Sequence, residues 1–280
     1  MTSARRVRIT RSFGLDLALW FGVIVLIGTP LYLALVTASK TGEQAKRVSL
    51  EFPDPFVLWE NLARVVIDGN GITGLLNSAF VTVPAIVLTL FFGAMAAWVF
   101  ARGKARPIQA LYYLAVAGIL LPPSIITTIR VLQATGLYGG QVGLVLFYCG
   151  AYMGVAIFLM TGFVKAIPFS LEEAAQLDGA GTLRVFWHVI VPSLRPVLLT
   201  SGVFLALGIW NDFFYAYFLL PDPANATLPL GLFNFASANQ YELNWNLIFA
   251  HAVFTSAPLL ILFMFAQRRI ISGFLGGSVK

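Results

Sequence analysis

Long apolar stretches alternate with short polar segments along the whole chain of 280 residues. Six of these stretches exceed the ~20 residues that a helix needs to cross about 30 Å of hydrocarbon at about 1.5 Å per residue. The predicted spans are residues 15–38, 77–100, 109–131, 141–164, 197–220 and 245–267. The first is longer than the roughly 7–15 apolar residues of a cleaved signal peptide, so we expect a retained helix. The pattern predicts an all-α integral membrane protein with six transmembrane helices.

The composition agrees with a membrane protein and excludes an ordinary soluble domain. Hydrophobic residues make up 59% of the chain and charged residues 11%, against about 45–50% and about 25% in soluble domains. The net charge of +6 does not indicate nucleic-acid binding, because the basic residues cluster at the ends of the predicted spans, where they set orientation. Cys149 is the only cysteine, so no disulfide can form within the chain.

The distribution of Lys and Arg predicts which segments lie in the cytoplasm. Residues 1–14 contain four arginines and no acidic residue, which is typical of a basic cytoplasmic N-terminus. With this end inside, 13 of the 18 Lys and Arg residues face the cytoplasm. Six spans then place both termini and the loop of residues 165–196 in the cytoplasm. The five basic residues on the outer side are Lys40, Lys46, Arg47, Arg64 and Arg130.

Three segments are predicted to lie on the outer side. The longest, residues 39–75, is polar and of mixed charge, and residues 56–67 have the pattern of a short amphipathic helix lying along the outer surface. The other two are expected to be loops, at residues 132–140 and 221–244.

Two features inside the predicted spans indicate departures from a regular helix. Pro122 and Pro123 remove two backbone donors from the third span and predict a kink or a break. Irregular backbone in a membrane is tolerated only against protein or a water-filled cavity. These prolines therefore lie either near the translocation route or at a simple packing kink. Gly150 and Gly154 have the G-x-x-x-G spacing that lets another helix approach closely.

The polar interval Ser170–Pro196 predicts a helix, a turn and a second helix between the fourth and fifth spans. Ser170 and Glu173 have the spacing of a capping box, and Gly179 tolerates the backbone conformation that ends a helix. A second helical pattern follows and is expected to end at Pro192 and Pro196. The apolar residues of that second pattern are Phe186, Val189 and Ile190.

This interval resembles the EAA loop of the membrane-spanning permease subunits of bacterial ABC importers. The family pattern is E-A-A, three residues, G, nine residues and I-x-L-P. Its positions are occupied here by Glu173, Ala174, Ala175, Gly179 and Pro192, with Val189 and Val191 at the I and L places. The additional residues Glu172, Asp178 and Ala180 resemble the sugar permeases, on the side of the pair like the smaller permease of the maltose importer. Further similar positions are Asn77-Ser78, Trp210-Asn211-Asp212 and Leu228-Pro229.

The resemblance implies a single permease transmembrane domain, residues 15–280, with a cytoplasmic coupling helix between the fourth and fifth spans. It implies four kinds of partner in a bacterial cytoplasmic membrane: a second homologous permease, two ATP-binding cassette subunits, an extracytoplasmic solute-binding protein and a small solute. This chain would bind no cofactor, because ATP and Mg are used by the ATPase subunits. The residues implied in coupling are Glu172, Glu173, Ala174, Ala175, Asp178, Gly179, Ala180 and Pro192.

The sequence lacks the motifs of an energy-converting or hydrolytic enzyme. It contains no G-x-x-x-x-G-K-[ST] phosphate-binding loop, no H-E-x-x-H and no G-x-S-x-G. His188 and His251 are the only histidines, so we predict neither a catalytic nor a metal site. Energy for uphill transport must then come from a partner protein or an ion gradient.

Asp212 and His251 are the acidic or basic residues that fall well inside predicted spans rather than at their ends, and such a residue costs about 2.5–3.5 kcal/mol near the span centre. Asp212 in the fifth span and His251 in the sixth are expected in the outer half at similar depth. One interpretation is a buried pair that fixes helix packing. The other is that they line the translocation path, whose candidate residues are Asn211, Asp212, His251, Pro122 and Pro123.

These observations favour a permease subunit of an ATP-driven ABC importer, forming half of the translocation path for a carbohydrate or a related solute. The alternatives are an ABC permease for a non-sugar solute and a secondary transporter driven by an ion gradient through Asp212 and His251. A membrane hydrolase is disfavoured because the chain lacks a credible nucleophile and base.

Overall fold

The computed structural model describes residues 13–237 and 243–276, which contain helices and no strand. The all-α prediction is therefore confirmed for these residues, whereas the basic segment predicted at the N-terminus falls almost entirely outside them. Within these described ranges, four helices are long and apolar enough to cross a membrane, and a bent pair of helices provides a fifth candidate. The chain divides into two compact units, one within residues 1–69 and 236–254 and the other within 70–235 and 255–280.

The first unit contains the first predicted span and the outer segment that follows it. Helix α1 (Phe13–Val23) passes through a π-helical turn (Ile24–Gly28) into α2 (Thr29–Ala38). Two short helices follow, α3 (Gly42–Ala45) and α4 (Leu58–Ile67). The amphipathic helix predicted at residues 56–67 is thus confirmed, because the apolar side chains of α4 pack against Ala38 and against Ala250 of the last helix.

The side chain of Asn61 connects α4 to the end of α2 and to the start of the last helix. Its Nδ2 donates to the carbonyl oxygens of Ala38 and Lys40, each at 2.8 Å. Its Oδ1 accepts a hydrogen bond from Asn246 Nδ2 at 3.1 Å. Because a buried amide is costly without partners, this side chain fixes α4 against the end of α2 and the start of the last helix.

The second unit begins with α5 (Gly71–Arg102), a single helix of 32 residues. It is longer at both ends than the predicted span of residues 77–100. Asn77 and Ser78, at the start of the predicted span, lie two turns inside the helix. Pro84 also lies inside it without ending it.

The third predicted span, residues 109–131, is wrong as a continuous helix. The chain forms α6 (Arg106–Ala117) and α7 (Ile125–Ala134), with non-helical backbone between them. Pro122 and Pro123 lie in this gap, where their missing N–H groups and fixed φ angles prevent a regular helix. The predicted kink or break is therefore a break.

Helix α8 (Gln141–Ala166) corresponds to the fourth predicted span and packs along α5 over much of its length. Small residues make the close approaches of α8. A Cβ atom on Gly154 would lie 2.6 Å from the Ala115 carbonyl oxygen of α6, whereas a Cβ on Gly150 would meet nothing within 4 Å. Close packing predicted from the G-x-x-x-G spacing is thus confirmed at Gly154 only.

The polar interval after α8 folds as a helix, a turn and a second helix, as predicted. The second helical stretch, Thr182–Ser193, ends between Pro192 and Pro196, so the predicted end is confirmed in its position. Each proline lies in the first turn of a helical segment, where its missing N–H is tolerated, and the chain bends by 73° between the segments on either side of Leu194. The segments are α9 (Ser170–Leu177), α10 (Thr182–Val185), a π-helical turn (Phe186–Ile190), α11 (Val191–Ser193) and α12 (Arg195–Trp210).

The remaining predicted segments need two corrections. The fifth span, residues 197–220, is interrupted after α12 at residues 211–213. The outer loop of residues 221–244 contains a helix that we did not predict. The sixth span, residues 245–267, lies within a longer helix. The observed elements are α13 (Phe214–Leu219), a 3-10 turn (Pro223–Asn225), α14 (Leu228–Ser237) and α15 (Trp245–Gly276).

Candidate functional site

The N-terminus of α9 differs from the predicted capping box. The carbonyl oxygen of Phe169 accepts hydrogen bonds from the backbone N–H groups of Glu172 and Glu173, at 2.9 and 3.1 Å. Phe169 is therefore the residue at the cap position, and no side chain caps this end. Ser170 is already the first residue of the helix, so its hydroxyl is not at the position that faces the free N–H groups.

The C-terminus of α9 agrees with the prediction for Gly179. This glycine has φ = +84°, a conformation that costs other residues free energy. The N–H of Gly179 donates to Gln176 O and that of Ala180 donates to Ala175 O, each at 2.9 Å. These are the two hydrogen bonds of a Schellman motif, and they define where the helix stops and the chain turns.

Most of the side chains predicted to take part in coupling are accessible. Leu177 at the end of α9 is 89% exposed, so its whole side chain is accessible to a partner. The exposed members of the predicted set are Glu173, Ala174, Asp178 and Gly179, and the half-buried members are Ala175, Ala180 and Pro192.

Glu172 is the exception, because its side chain is only 2% exposed. Its Oε1 lies 2.7 Å from Arg102 Nη2, and its Oε2 accepts a hydrogen bond from Trp98 Nε1 at 3.0 Å. Both carboxylate oxygens are thus occupied within the chain. The charge that we expected to be available for a partner protein is used internally.

Arg102 and Trp98 were missed as residues of this site. Arg102 lies among the basic residues at span ends that are expected to set orientation, and Trp98 belongs to none of the motifs considered in the sequence. They precede Glu172 by 70 and 74 residues, so no local pattern could bring the three together.

The segment after α9 is anchored in the hydrophobic core. Phe186 and Ile190 are buried against Ala97 of α5 and against Met160 and Val164 of α8. The helical spacing of these apolar residues therefore predicted the correct buried face. Helix α9 is therefore a short exposed helix between two segments that are packed in the core, α8 before it and the stretch Thr182–Ser193 after it.

Asp212 lies in the break between α12 and α13. Its Oδ2 accepts hydrogen bonds from the hydroxyl of Tyr148 at 2.6 Å and from the backbone N–H groups of Tyr215 and Ala216 at 3.0 and 3.2 Å. The backbone bonds satisfy donors at the start of α13 that have no helical partner. Tyr148 is a further residue that sequence reasoning missed.

The other candidates for the translocation path make no hydrogen bond to Asp212 among those described. Asn211 is exposed, and its Nδ2 donates to Leu207 O at 2.9 Å. His251 is fully buried and belongs to the other compact unit, so its pairing with Asp212 stays a prediction. Pro122 and Pro123 are exposed, and Pro123 lines a cavity of about 680 Å³ together with Thr127 and Thr128. Their role in translocation also stays a prediction.

Residues 69–275 match the family described as "Binding-protein-dependent transport system inner membrane component". The diacetylchitobiose uptake system permease protein NgcG of Streptomyces coelicolor is 32% identical over 266 residues, which cover 94% of this chain and 87% of that protein. The probable starch degradation products transport system permease protein AmyC of Thermoanaerobacterium thermosulfurigenes is 30% identical over 253 residues, covering 90% and 91%.

A solved structure shares the fold. It is a chain of a bacterial ABC transporter involved in the import of the acidic polysaccharide alginate, with a TM-score of 0.77 and 22% identity, covering 96% of this chain and 99% of that one. The resemblance inferred from the EAA loop is therefore confirmed, and the chain is a multi-pass membrane permease subunit rather than an enzyme. With well over half of its length matched, it belongs to the family of binding-protein-dependent transport system inner membrane components.

Proposed function

We propose that this chain forms one half of the translocation path of an ATP-driven importer for a carbohydrate. The saccharides in the names of NgcG and AmyC support this class of solute. The observation that carries the coupling part of the proposal is α9. It is an exposed helix between anchored segments, it ends in a defined Gly179 turn, and it presents Glu173 and Leu177 to solvent.

The exposed face of α9 is the surface on which a separate ATPase subunit would dock. Leu177 supplies apolar area, Ala174 permits close approach, and Glu173 offers a charge for an ion pair. ATP and Mg would be bound by two such subunits and not by this chain. A second homologous permease completes the path. The family's dependence on a binding protein supports an extracytoplasmic solute-binding protein as a further partner.

This function requires α9 and both termini to lie in the cytoplasm. We propose six crossings within one transmembrane domain, residues 15–280. The broken pair α6 and α7 makes the third crossing, and α12 with α13 makes the fifth. The excess of Lys and Arg on the inner segments supports this orientation. Breaks in the third and fifth crossings are acceptable where they face protein or a wet cavity.

The test is recovery of an ATP-hydrolysing subunit with the tagged chain from detergent-solubilised native membranes. Glu173→Lys reverses the exposed charge of α9 and is expected to remove most of the recovered ATPase. Glu60→Lys makes the same change at an exposed position of α4 and should leave the recovery unchanged. Absence of any ATPase with the unmodified chain, under conditions that preserve other membrane complexes, would refute the importer. Full recovery with Glu173→Lys would refute docking on α9.

A further inference from the structure

Helix α5 is attached through side chains at both of its ends, and one attachment holds α9. Arg102 is the last residue of α5. Its Nη2 forms the 2.7 Å ion pair with Glu172, and its Nε donates to the same Oε1 at 2.7 Å. Trp98, one turn earlier, binds the other carboxylate oxygen. We call these three residues the α5–α9 link.

Arg102 also holds the short connection between α8 and α9. Its Nη2 donates to the carbonyl oxygen of Ile167 at 2.9 Å, and its guanidinium carbon lies 5.5 Å from the centre of the Phe169 ring. The planar guanidinium thus makes three kinds of contact at once, which a lysine could not reproduce. The connection and the first turn of α9 are fixed to α5 by this one residue.

The opposite end of α5 binds the segment Ala224–Leu228. Asn77 Nδ2 donates to the carbonyl oxygens of Ala224 and Ala226 at 2.9 and 3.0 Å. Ser78 Oγ accepts a hydrogen bond from the backbone N–H of Leu228 at 2.8 Å. The helix between the two attachments is unbroken, and the 25 residues that separate Asn77 from Arg102 at about 1.5 Å each place the attachments about 38 Å apart along it.

Without the α5–α9 link, α9 would be held only by the backbone on either side of it, and less rigidly. On one side α9 follows the non-helical residues Ile167–Phe169, and on the other it ends at Gly179 with a positive φ angle. Both are positions where a short helix can pivot. The buried ion pair removes this freedom, because separating it would leave a charge without a partner in a poorly solvated site.

From this geometry we propose that Arg102, Trp98 and Glu172 are positioning residues for coupling. They make α5 follow any displacement of α9, and α5 carries that displacement to the segment Ala224–Leu228 at its far end. This inference rests on the proposed docking of an ATPase on α9. It assigns Glu172 a role different from that of Glu173, which faces the partner.

The experiment follows the far end of α5 in the importer purified with its ATPase subunits. A Cys149→Ser background removes the native thiol, and Ala224→Cys introduces a reporter at an exposed position whose carbonyl stays available to Asn77. The labelling rate of this cysteine with a polar maleimide is measured with and without ATP plus orthovanadate. The variants are Glu172→Gln, Arg102→Gln and the exchange Arg102→Glu with Glu172→Arg. Arg106→Gln, an exposed arginine nearby, is the matched control.

The nucleotide is expected to change the labelling rate in the parent protein and in Arg106→Gln. In Glu172→Gln and Arg102→Gln this change should be lost although the ATPase subunits still co-purify, and the charge exchange should restore part of it. If the nucleotide still changes the labelling rate in both single variants, the proposed role of the α5–α9 link is refuted. Loss of the ATPase subunits from Glu172→Gln overturns it as well, because Glu172 would then only build the docking surface.

Failure of the proposed function gives a different result. If the parent importer itself shows no nucleotide response, coupling through α9 is refuted, and the link with it. Should Glu172→Gln not accumulate, Trp98→Phe removes only the 3.0 Å hydrogen bond and is expected to reduce the response. An unchanged response in Trp98→Phe, with the other link variants unable to fold, also counts against the proposal.

Discussion

Tyr148 and Asp212 connect the fourth and fifth predicted spans through a hydrogen bond of 2.6 Å between the tyrosine hydroxyl and Asp212 Oδ2. Tyr148 is 1% exposed and lies in the hydrophobic cluster that α5, α7, α8, α12 and α13 share. The same Asp212 oxygen binds two N–H groups at the start of α13. One carboxyl group therefore stabilises the break in the fifth span and attaches it to α8.

Tyr148→Phe is expected to lower the free energy of unfolding by about 1–3 kcal/mol, because it leaves a polar acceptor with one partner fewer. Thermal unfolding of the purified chain in detergent measures the change. Tyr113→Phe removes the hydroxyl of an exposed tyrosine and should have little effect. Equal unfolding temperatures for the two variants would show that the Tyr148 hydrogen bond does not stabilise the break.

Gly208→Ala is expected to be destabilising because the end of the Tyr152 side chain of α8 lies against α12 at this position. A Cβ atom at residue 208 would lie 2.5 Å from the hydroxyl oxygen of Tyr152 and 2.9 Å from its ring. Overpacking of this kind typically costs about 1–3 kcal/mol. Combining Gly208→Ala with Tyr152→Phe should recover part of the loss, since the nearest atom is removed.

Gly150→Ala serves as the control for overpacking, because a Cβ there meets nothing within 4 Å. It should leave the unfolding temperature unchanged or raise it slightly, as alanine favours helix by about 1 kcal/mol. A similar loss of stability in Gly150→Ala and Gly208→Ala would exclude the contact with Tyr152 as the cause.

Gly179→Ala is expected to cost about 1–2 kcal/mol, because residue 179 has φ = +84° and other L-residues are strained there. No neighbouring atom would hinder the added Cβ, so the effect isolates backbone strain. Gly181→Ala is the control, since this glycine has φ = −69° and equally free space. Thermal unfolding measures both variants, and recovery of the ATPase subunits should fall only for Gly179→Ala.

Cysteine labelling can establish the sidedness of the proposed topology. Phe52 and Leu177 are 72% and 89% exposed, so a cysteine at either position is reachable by a polar reagent. In a Cys149→Ser background, Phe52→Cys is expected to react with a membrane-impermeant maleimide in intact cells. Leu177→Cys should react only after the membrane is permeabilised. The reverse pattern, or labelling of both from one side, would contradict the orientation.

Local patterns predicted much of the architecture. Runs of apolar residues identified the long helices, since a helix that crosses hydrocarbon must be apolar over most of its length. Gly179 identified the end of α9, because the turn there needs a residue without a Cβ. The spacing of Phe186 and Ile190 identified the buried face of the next segment. These features depend on neighbours within one or two turns, so they can be read without knowing the fold.

The breaks in the third and fifth spans differ in whether a local pattern could predict them. Pro122 and Pro123 predicted the break in the third span, since proline removes backbone donors whatever its surroundings. The second break has no proline between Asn211 and Phe213. It is stabilised by Asp212, whose Oδ2 receives a hydrogen bond from Tyr148, 64 residues earlier.

The sequence by itself determined that the chain is an all-helical membrane protein, that a helix, a turn and a second helix lie between its fourth and fifth apolar spans, and to which family it belongs. Only the tertiary structure decided which of two adjacent glutamates faces solvent. Glu172 and Glu173 have the same chemistry and point about 100° apart around α9, and the sequence does not say which direction holds Arg102 and Trp98. A carboxylate facing that pair is buried and satisfied, whereas its neighbour stays exposed, because burial of a charge is stable only beside a partner.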